Sequence, residues 1–575
     1  MIASIRKTAL ALACLGGALQ AQTAQTADPV IRAMKDELAR SLSLQIPSLE
    51  KPYYIDYAVD QLRVYSAAAT LGGLVASQES EVSLPRVQVR VGSYDFDNTN
   101  FRDANFGYSS RLPRDNDYNV IRRLLWLDTD RGYKAAVEAI SRKRAALKSM
   151  TQNEILPDFE KLPAVQLNRP GKVTLVHLPE WTERIRRLSA VFNAFPDIKS
   201  SNVTFYSSNG DHRFVSSEGT AIRQPEGVST VSIQAAAQAK DGMTVRDWAS
   251  VASLDLSGLP AEAAIRAKAE EVARNTLALA ASPMGETYSG PVLFEGMAGP
   301  QLFAEVLGRN LALARKPVGQ SGSGPSSELE GRQGVRVLPE MFDVVDDPQQ
   351  TEFKGQRLFG TYAVDEEGVV PERLQVIQKG VLKSFLLTRE PKRGFAHTNG
   401  RARLPGNFGT SQAALSNLFV TSRETVPVTE LKKRLLELCQ QRGKPYGILI
   451  RKMDFPSSAS LDEARRLLTG QTGSLHPVSA PLLVYRVYPD GREELVRGLR
   501  LRGFNAKSLR DILFAGNDQN VFPYLENGAP FALSSIGGST AESCVIAPSI
   551  LIDDVDLFKV EDDLPKLPVV PAPAS

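Results

Sequence analysis

The chain has 575 residues, 42% of them hydrophobic and 23% charged, with a formal net charge of +3. This composition excludes wholesale disorder and supplies enough apolar residues for two or more cores of domain size. Basic residues are spread along the chain and no basic block is interleaved with aromatics, so nucleic acid is not an expected partner.

At the N-terminus, Arg6 and Lys7 precede an apolar run, 9–19, and Ala21 then opens a small, polar stretch. That order reads as a secretory signal peptide over residues 1–21. The run is too short to span a bilayer, and no later stretch of about 18 uninterrupted apolar residues follows. The expectation is an exported protein, periplasmic or extracellular, with no transmembrane segment. Lipid attachment at Cys14 is a weaker reading, because the residues before it lack a strong lipoprotein pattern. Removing the leader leaves Cys439 and Cys544, too few for a disulfide framework.

Helical spacing over 29–44 gives way to short β-type runs over 53–92, where Val87, Val89 and Val91 alternate with Gln88 and Arg90. Helices are expected at 118–148 and at 182–193, the second with Ile185, Leu188 and Phe192 on one stripe. Strands follow at 203–206 and 230–237, and then a long Ala-rich helix at 261–281 whose Ile265, Ala269 and Val272 share a face. Ser282 and Pro283 end it, and the texture turns mostly β after Tyr288. The fold class is therefore α+β: an N-terminal mixed α/β domain over 27–284, then a β-rich C-terminal domain over 285–563.

Within that second part, Gln378, Lys379 and Gly380 have the length of a three-residue hairpin loop, and Pro489, Asp490 and Gly491 repeat it between 485–488 and 495–501. Helices are expected near 429–441, with Leu431, Leu435 and Leu438 on one stripe, and from Ser460, which with Glu463 makes a capping box. The tail 564–575 has prolines at 565, 568, 571 and 573, can build neither helix nor central strand, and is expected to be disordered.

The chemistry is concentrated at 300–313, a helix carrying Gly308 at a cost of about 1 kcal/mol relative to alanine. On an ideal helix, residues 304 and 309 are about 140° apart, so a bend at Gly308 would turn them toward a common point. Ala304, Glu305, Val306, Leu307, Gly308 and Arg309 match a His-Glu-x-x-Gly-His arrangement only at the glutamate and the glycine. Alanine has no donor atom, and arginine stays protonated and repels a dication. The four histidines, His177, His212, His397 and His476, offer no pair at metal-ligand spacing.

The order of segments 288–299, 304–309, 344–348, 362–370, 379–384, 398–403 and 416–420 resembles the TldD/PmbA family of peptidase-related proteins, and 215–225 resembles its N-terminal domain. The resemblance implies a TldD-type zinc site built from two helix histidines and a cysteine near the C-terminus, with the helix glutamate acting on a water. Here those histidine positions hold Ala304 and Arg309. Segment 530–538, near the expected cysteine, has none, and Cys544 reads as a small core residue. This is the pattern of the PmbA type, which the resemblance implies pairs with a TldD-like catalytic subunit.

Glu305 is thus the vestigial general-base position, expected to pair with Arg309 one turn on. Gly322 and Gly324 are expected in a mobile flap over the cleft, and His397, Asn399 and Gly400 beside it, although His397 also reads as a loop histidine in solvent. The sequence points to a metallopeptidase-related protein, a non-catalytic partner or peptide-binding subunit with no expected cofactor, that holds a TldD-like subunit or self-associates as a dimer. Extended peptide is the expected ligand. Two alternatives stand beside it: an active metallopeptidase holding zinc through non-standard ligands, and an exported scaffold of the same fold.

Overall fold

The computed structural model describes residues 28–101, 111–149, 156–172, 174–318, 327–405, 409–470, 475–526 and 540–560. The expected leader, Gly322 and Gly324, segment 530–538 and the proline-rich tail lie outside the described residues.

The first half is organised by a six-stranded sheet of β1 (Pro52–Thr70), β2 (Gly73–Val91), β3 (Gln166–Asn168), β4 (Ser200–Ser216), β5 (Ala221–Gln238) and β6 (Thr244–Ser253). Its order is β2-β1-β4-β5-β3, with β6 also paired to β5. The short runs expected over 53–92 are in fact one hairpin of two 19-residue strands. The polar stretches that break the hydrophobic alternation are held by ladder bonds, since β1 pairs with β2 on one side and β4 on the other. Leu71 and Gly72, both at positive φ, close the hairpin in the two-residue turn that matches strand twist.

Strand periodicity divides this sheet into two faces. Odd-numbered residues of β1, β4 and β5 point toward four helices: α1 (Pro29–Ser41), α2 (Tyr118–Leu147), α3 (Leu178–Ser189) and α4 (Glu262–Ala281). Tyr57, Val59 and Val89 pack with Val30, Met34 and Leu125, and Phe205, Val231 and Ile233 pack with Trp181, Ile265 and Val272. Even-numbered residues face the second half, where Phe214 and Ile222 meet Val364 and Val228 meets Phe419 and Ile546.

From Tyr288 onward two further sheets form. The seven-stranded one places Tyr288–Phe294 centrally, between Gly447–Met453 and Ile550–Lys559. In the six-stranded one, Asn417–Ser422 lies between Phe342–Asp346 and Ala541–Ala547, with Asn520–Glu526 at the edge. Val292, Ile448 and Ile552 from one sheet and Val344, Leu418 and Val545 from the other share a single core with Leu302, Phe303 and Val306. A helical segment, 298–311, is therefore enclosed between the two sheets.

Three local expectations are corrected. Gln378 pairs with Val381, so the first hairpin loop has two residues, Lys379 and Gly380, both at positive φ. The strand expected over 495–501 is two strands, Glu493–Val496 and Leu499–Arg502, separated at Gly498 with φ +71. At the helix Leu461–Thr469, Ser460 accepts from the Glu463 N–H, but the Glu463 carboxylate binds Arg466 and the Ala480 N–H, leaving the capping box half made.

Candidate functional site

The enclosed helical segment is not uniformly α. Ala298–Leu302 is α-helical, Phe303–Gly308 is a π-helix, and Arg309–Leu311 returns to α. Each π step widens the turn from i→i+4 to i→i+5, so residues five apart come close to one face. Ala304 and Arg309 accordingly line one small cleft, together with Glu305, Phe455, Ser457 and Tyr524. Gly308 has a separate purpose. A Cβ there would lie 2.5 Å from Leu415 Cδ1, so the glycine admits Leu415 against the helix.

Glu305 is buried, and both its carboxylate oxygens are engaged. Ser479 donates its backbone N–H to Oε1 at 2.7 Å and its hydroxyl to Oε2 at 2.5 Å. Ser479 is itself clamped: Ala480 N–H donates to Glu463 at 2.8 Å, and Arg466 donates to the Val478 carbonyl at 2.8 Å. Burial raises the Glu305 pKa to about 7, against the opposing pull of the Ser479 bonds and the Arg309 charge. The expected Glu305 to Arg309 ion pair is therefore replaced by the bonds to Ser479, with Arg309 acting only through its field. Burial and the Arg309 charge lower His476 to about 4, so a neutral imidazole sits near that arginine, its Nδ1 without a partner among the described residues.

A zinc ion needs three or four N, S or O donors at fixed distances. Ala304 offers none, Arg309 presents only N–H groups with no lone pair for a metal, and both Glu305 oxygens are engaged. Among the described residues no three His, Cys, Asp or Glu side chains are grouped so as to hold a metal. Cys544 is fully buried in Ala541–Ala547, and burial pushes its thiol up to about 12. The residues present do not fit a zinc site of the expected design.

The remaining candidates lie elsewhere. His397 is exposed and holds Glu160 of the first half through Nδ1 at 2.8 Å. The Asn399 side chain accepts from Leu387 N–H and donates to the Phe385 carbonyl. Gly400, with φ +72, lies so close to Pro371 that a Cβ would come within 2.8 Å. Next to it, fully buried Arg401 donates to Asp346 at 2.7 Å, and the Ser416 hydroxyl donates to the same carboxylate at 2.6 Å. These segments converge on a buried structural knot, not on Glu305. Ser479 and Tyr524 were absent from the sequence reading because no motif marks them, and His476 entered it only as a histidine without a partner at metal-ligand spacing; all three reach the helix through tertiary folding.

Residues 287–453 match the family model of the PmbA/TldA metallopeptidase C-terminal domain. A metalloprotease of Archaeoglobus fulgidus is 37% identical over 78 residues, which is 14% of this chain and 17% of that protein. The matched region thus spans about a sixth of that relative. Among solved structures, TldE from Thermococcus kodakarensis aligns with a TM-score of 0.57 at 12% identity, covering 92% of this chain and all of that one. A proposed modulator of a DNA gyrase from Thermotoga maritima aligns with a TM-score of 0.56 at 13% identity, covering 88% and 96%. At these identities the two structures speak for the fold. Among the described residues no helix is long and apolar enough to cross a membrane.

Proposed function

We propose that this chain, whose residues 287–453 match the PmbA/TldA metallopeptidase C-terminal domain, is a non-catalytic member of the TldD/PmbA family that binds extended peptide without zinc. One observation carries the reading: the glutamate of the peptidase-like helix is bonded through both oxygens to Ser479, while its flanking positions hold Ala304 and Arg309. A metal-bound water would need a free carboxylate oxygen as its acceptor, and both oxygens of Glu305 are already bonded to Ser479. The leader-like sequence with Arg6 and Lys7 supports export, to the periplasm or medium. A TldD-like catalytic subunit is the partner this reading proposes, with self-association as a dimer the other arrangement.

Incubating the purified mature chain with short labelled peptides and added zinc tests the reading. Binding without cleavage is expected, and zinc-dependent cleavage at enzymatic rates contradicts it. Affinity capture from the source cells should recover a relative carrying both helix histidines. Recovery of a dimer of this chain alone removes the obligate-partner form of the proposal.

A further inference from the structure

The cleft beside the π segment Phe303–Gly308 is lined by Ala304 and Arg309 from the helix, and by Phe455, Tyr524 and Leu525 from elements distant in sequence. Ala304 contributes only a methyl group, so the space in front of it stays open. The aromatic wall is fixed by its own packing. Phe455 meets Tyr524 edge-on at 5.0 Å and Phe522 at 4.8 Å, and Phe522 stacks on Tyr524 at 5.4 Å. Arg309 is the only cation on the lining.

That arginine is half-buried, and among the described residues it makes neither a hydrogen bond nor an ion pair. Other arginines withdrawn from water are matched: Arg90 with Asp97, Arg389 with Glu218 and Arg401 with Asp346. The two carboxyl groups on the same lining do not serve Arg309. Glu305 accepts from Ser479 at both oxygens, and burial holds its pKa at about 7, so near neutral pH it carries only part of a charge. Glu526 has an interaction of its own. A guanidinium partly withdrawn from water with no acceptor loses hydration that no protein group restores. An acceptor brought by a ligand would restore it.

We propose that this cleft binds a carboxylate of the peptide, paired with the Arg309 guanidinium, while the adjoining apolar part of the ligand lies against Phe455 and Leu525. The proposal rests on the peptide-binding reading above and names the group by which the peptide is anchored. Guanidinium and carboxylate match in shape through two parallel N–H···O bonds, and low-polarity walls strengthen such a pair. An inorganic anion would leave the apolar wall unused. Arg309 also explains why binding would not lead to cleavage. A zinc ion polarises a carbonyl and activates a water, whereas an arginine stays protonated and only donates hydrogen bonds.

Fluorescence polarisation with the mature chain and N-terminally labelled heptapeptides tests this. One pair of peptides differs only in a free or amidated C-terminal carboxylate, and a second, amidated pair differs only in a central Glu or Gln. In at least one pair the carboxylate form should bind on the order of tenfold more tightly, and the pair that responds identifies the source of the carboxylate. Arg309→Met, which keeps the length of the side chain, should bring the two forms within about twofold of one another. Arg309→Gln, a second uncharged variant, guards against a folding defect in the first. Equal binding within both pairs, or a preference that survives loss of the charge, overturns the proposal. Should no peptide bind, the function proposed above fails, and N-acetylphenylalanine against its amide decides the subsite. A thermal shift with the acid that Arg309→Met abolishes supports it, and identical behaviour of acid and amide overturns it.

Discussion

Ser479 donates both its backbone N–H and its hydroxyl to Glu305, at 2.7 and 2.5 Å. The carboxylate is thereby a structural link between the enclosed helix and the segment entering the strand Pro481–Val487. Glu305 keeps the residue type of a catalytic base, but both its oxygens are already engaged.

The raised Glu305 pKa makes stability depend on pH. Its folded value, about 7, lies above the ordinary 4.5, so the folded state binds the proton more tightly. Its contribution is fully present below pH 4.5 and is lost as pH rises through 7, amounting to about 3 kcal/mol. Urea unfolding at pH 5 and pH 8 should show wild type losing about that much relative to Glu305→Gln. The difference between the two chains isolates Glu305 from Asp365 and Asp454, which burial also raises to about 7.

Removing the hydroxyl partner should act in the same direction. In Ser479→Ala the backbone bond remains, but a buried carboxylate loses a charge-assisted bond. The expected loss is about 2 kcal/mol at pH 8 and about 1 at pH 5, where Glu305 is protonated. Denaturant midpoints at the two pH values check this, and equal losses would mean that Glu305 is not ionised in the folded state at pH 8.

Gly308→Ala should destabilise the chain by about 1–3 kcal/mol through overpacking against Leu415, despite alanine's better helix propensity. Leu415→Ala should be damaging alone and should relieve part of the Gly308→Ala cost. A double-mutant cycle measures the coupling. Additive effects would place the reason for Gly308 elsewhere.

Arg389 ties the halves together. It is 2% exposed, donates to both Glu218 oxygens at 2.8 Å and to the Glu160 carbonyl at 2.6 Å, and lies 4.0 Å above the Phe159 ring. Arg389→Met leaves Glu218 buried without its main partner, and the expected loss is about 3–5 kcal/mol. Thermal unfolding checks it, and a near-neutral result would mean that water readily replaces the guanidinium.

Much of the architecture was legible because periodicity reports local faces. Ile265, Ala269 and Val272 were placed on one stripe and are buried, as are Leu431 and Leu435. The long β1 to β2 hairpin was read as short runs because its extent is fixed by pairing on both sides, which leaves no trace in hydropathy. At the site, missing ligands could be read from residue identity at 304 and 309. The π segment and the bonding of Glu305 to Ser479 could not, the latter because it joins residues 174 apart in sequence. Gly308 was noticed for its helical cost, and its close contact with Leu415 is a reason that only the folded structure supplies.

Zinc stoichiometry tests the central claim most directly. The purified mature chain, incubated with excess zinc and freed of unbound metal by gel filtration, should retain far less than one zinc per chain by elemental analysis. Retention of one zinc per chain, lost when Glu305 is replaced by glutamine, would contradict the account.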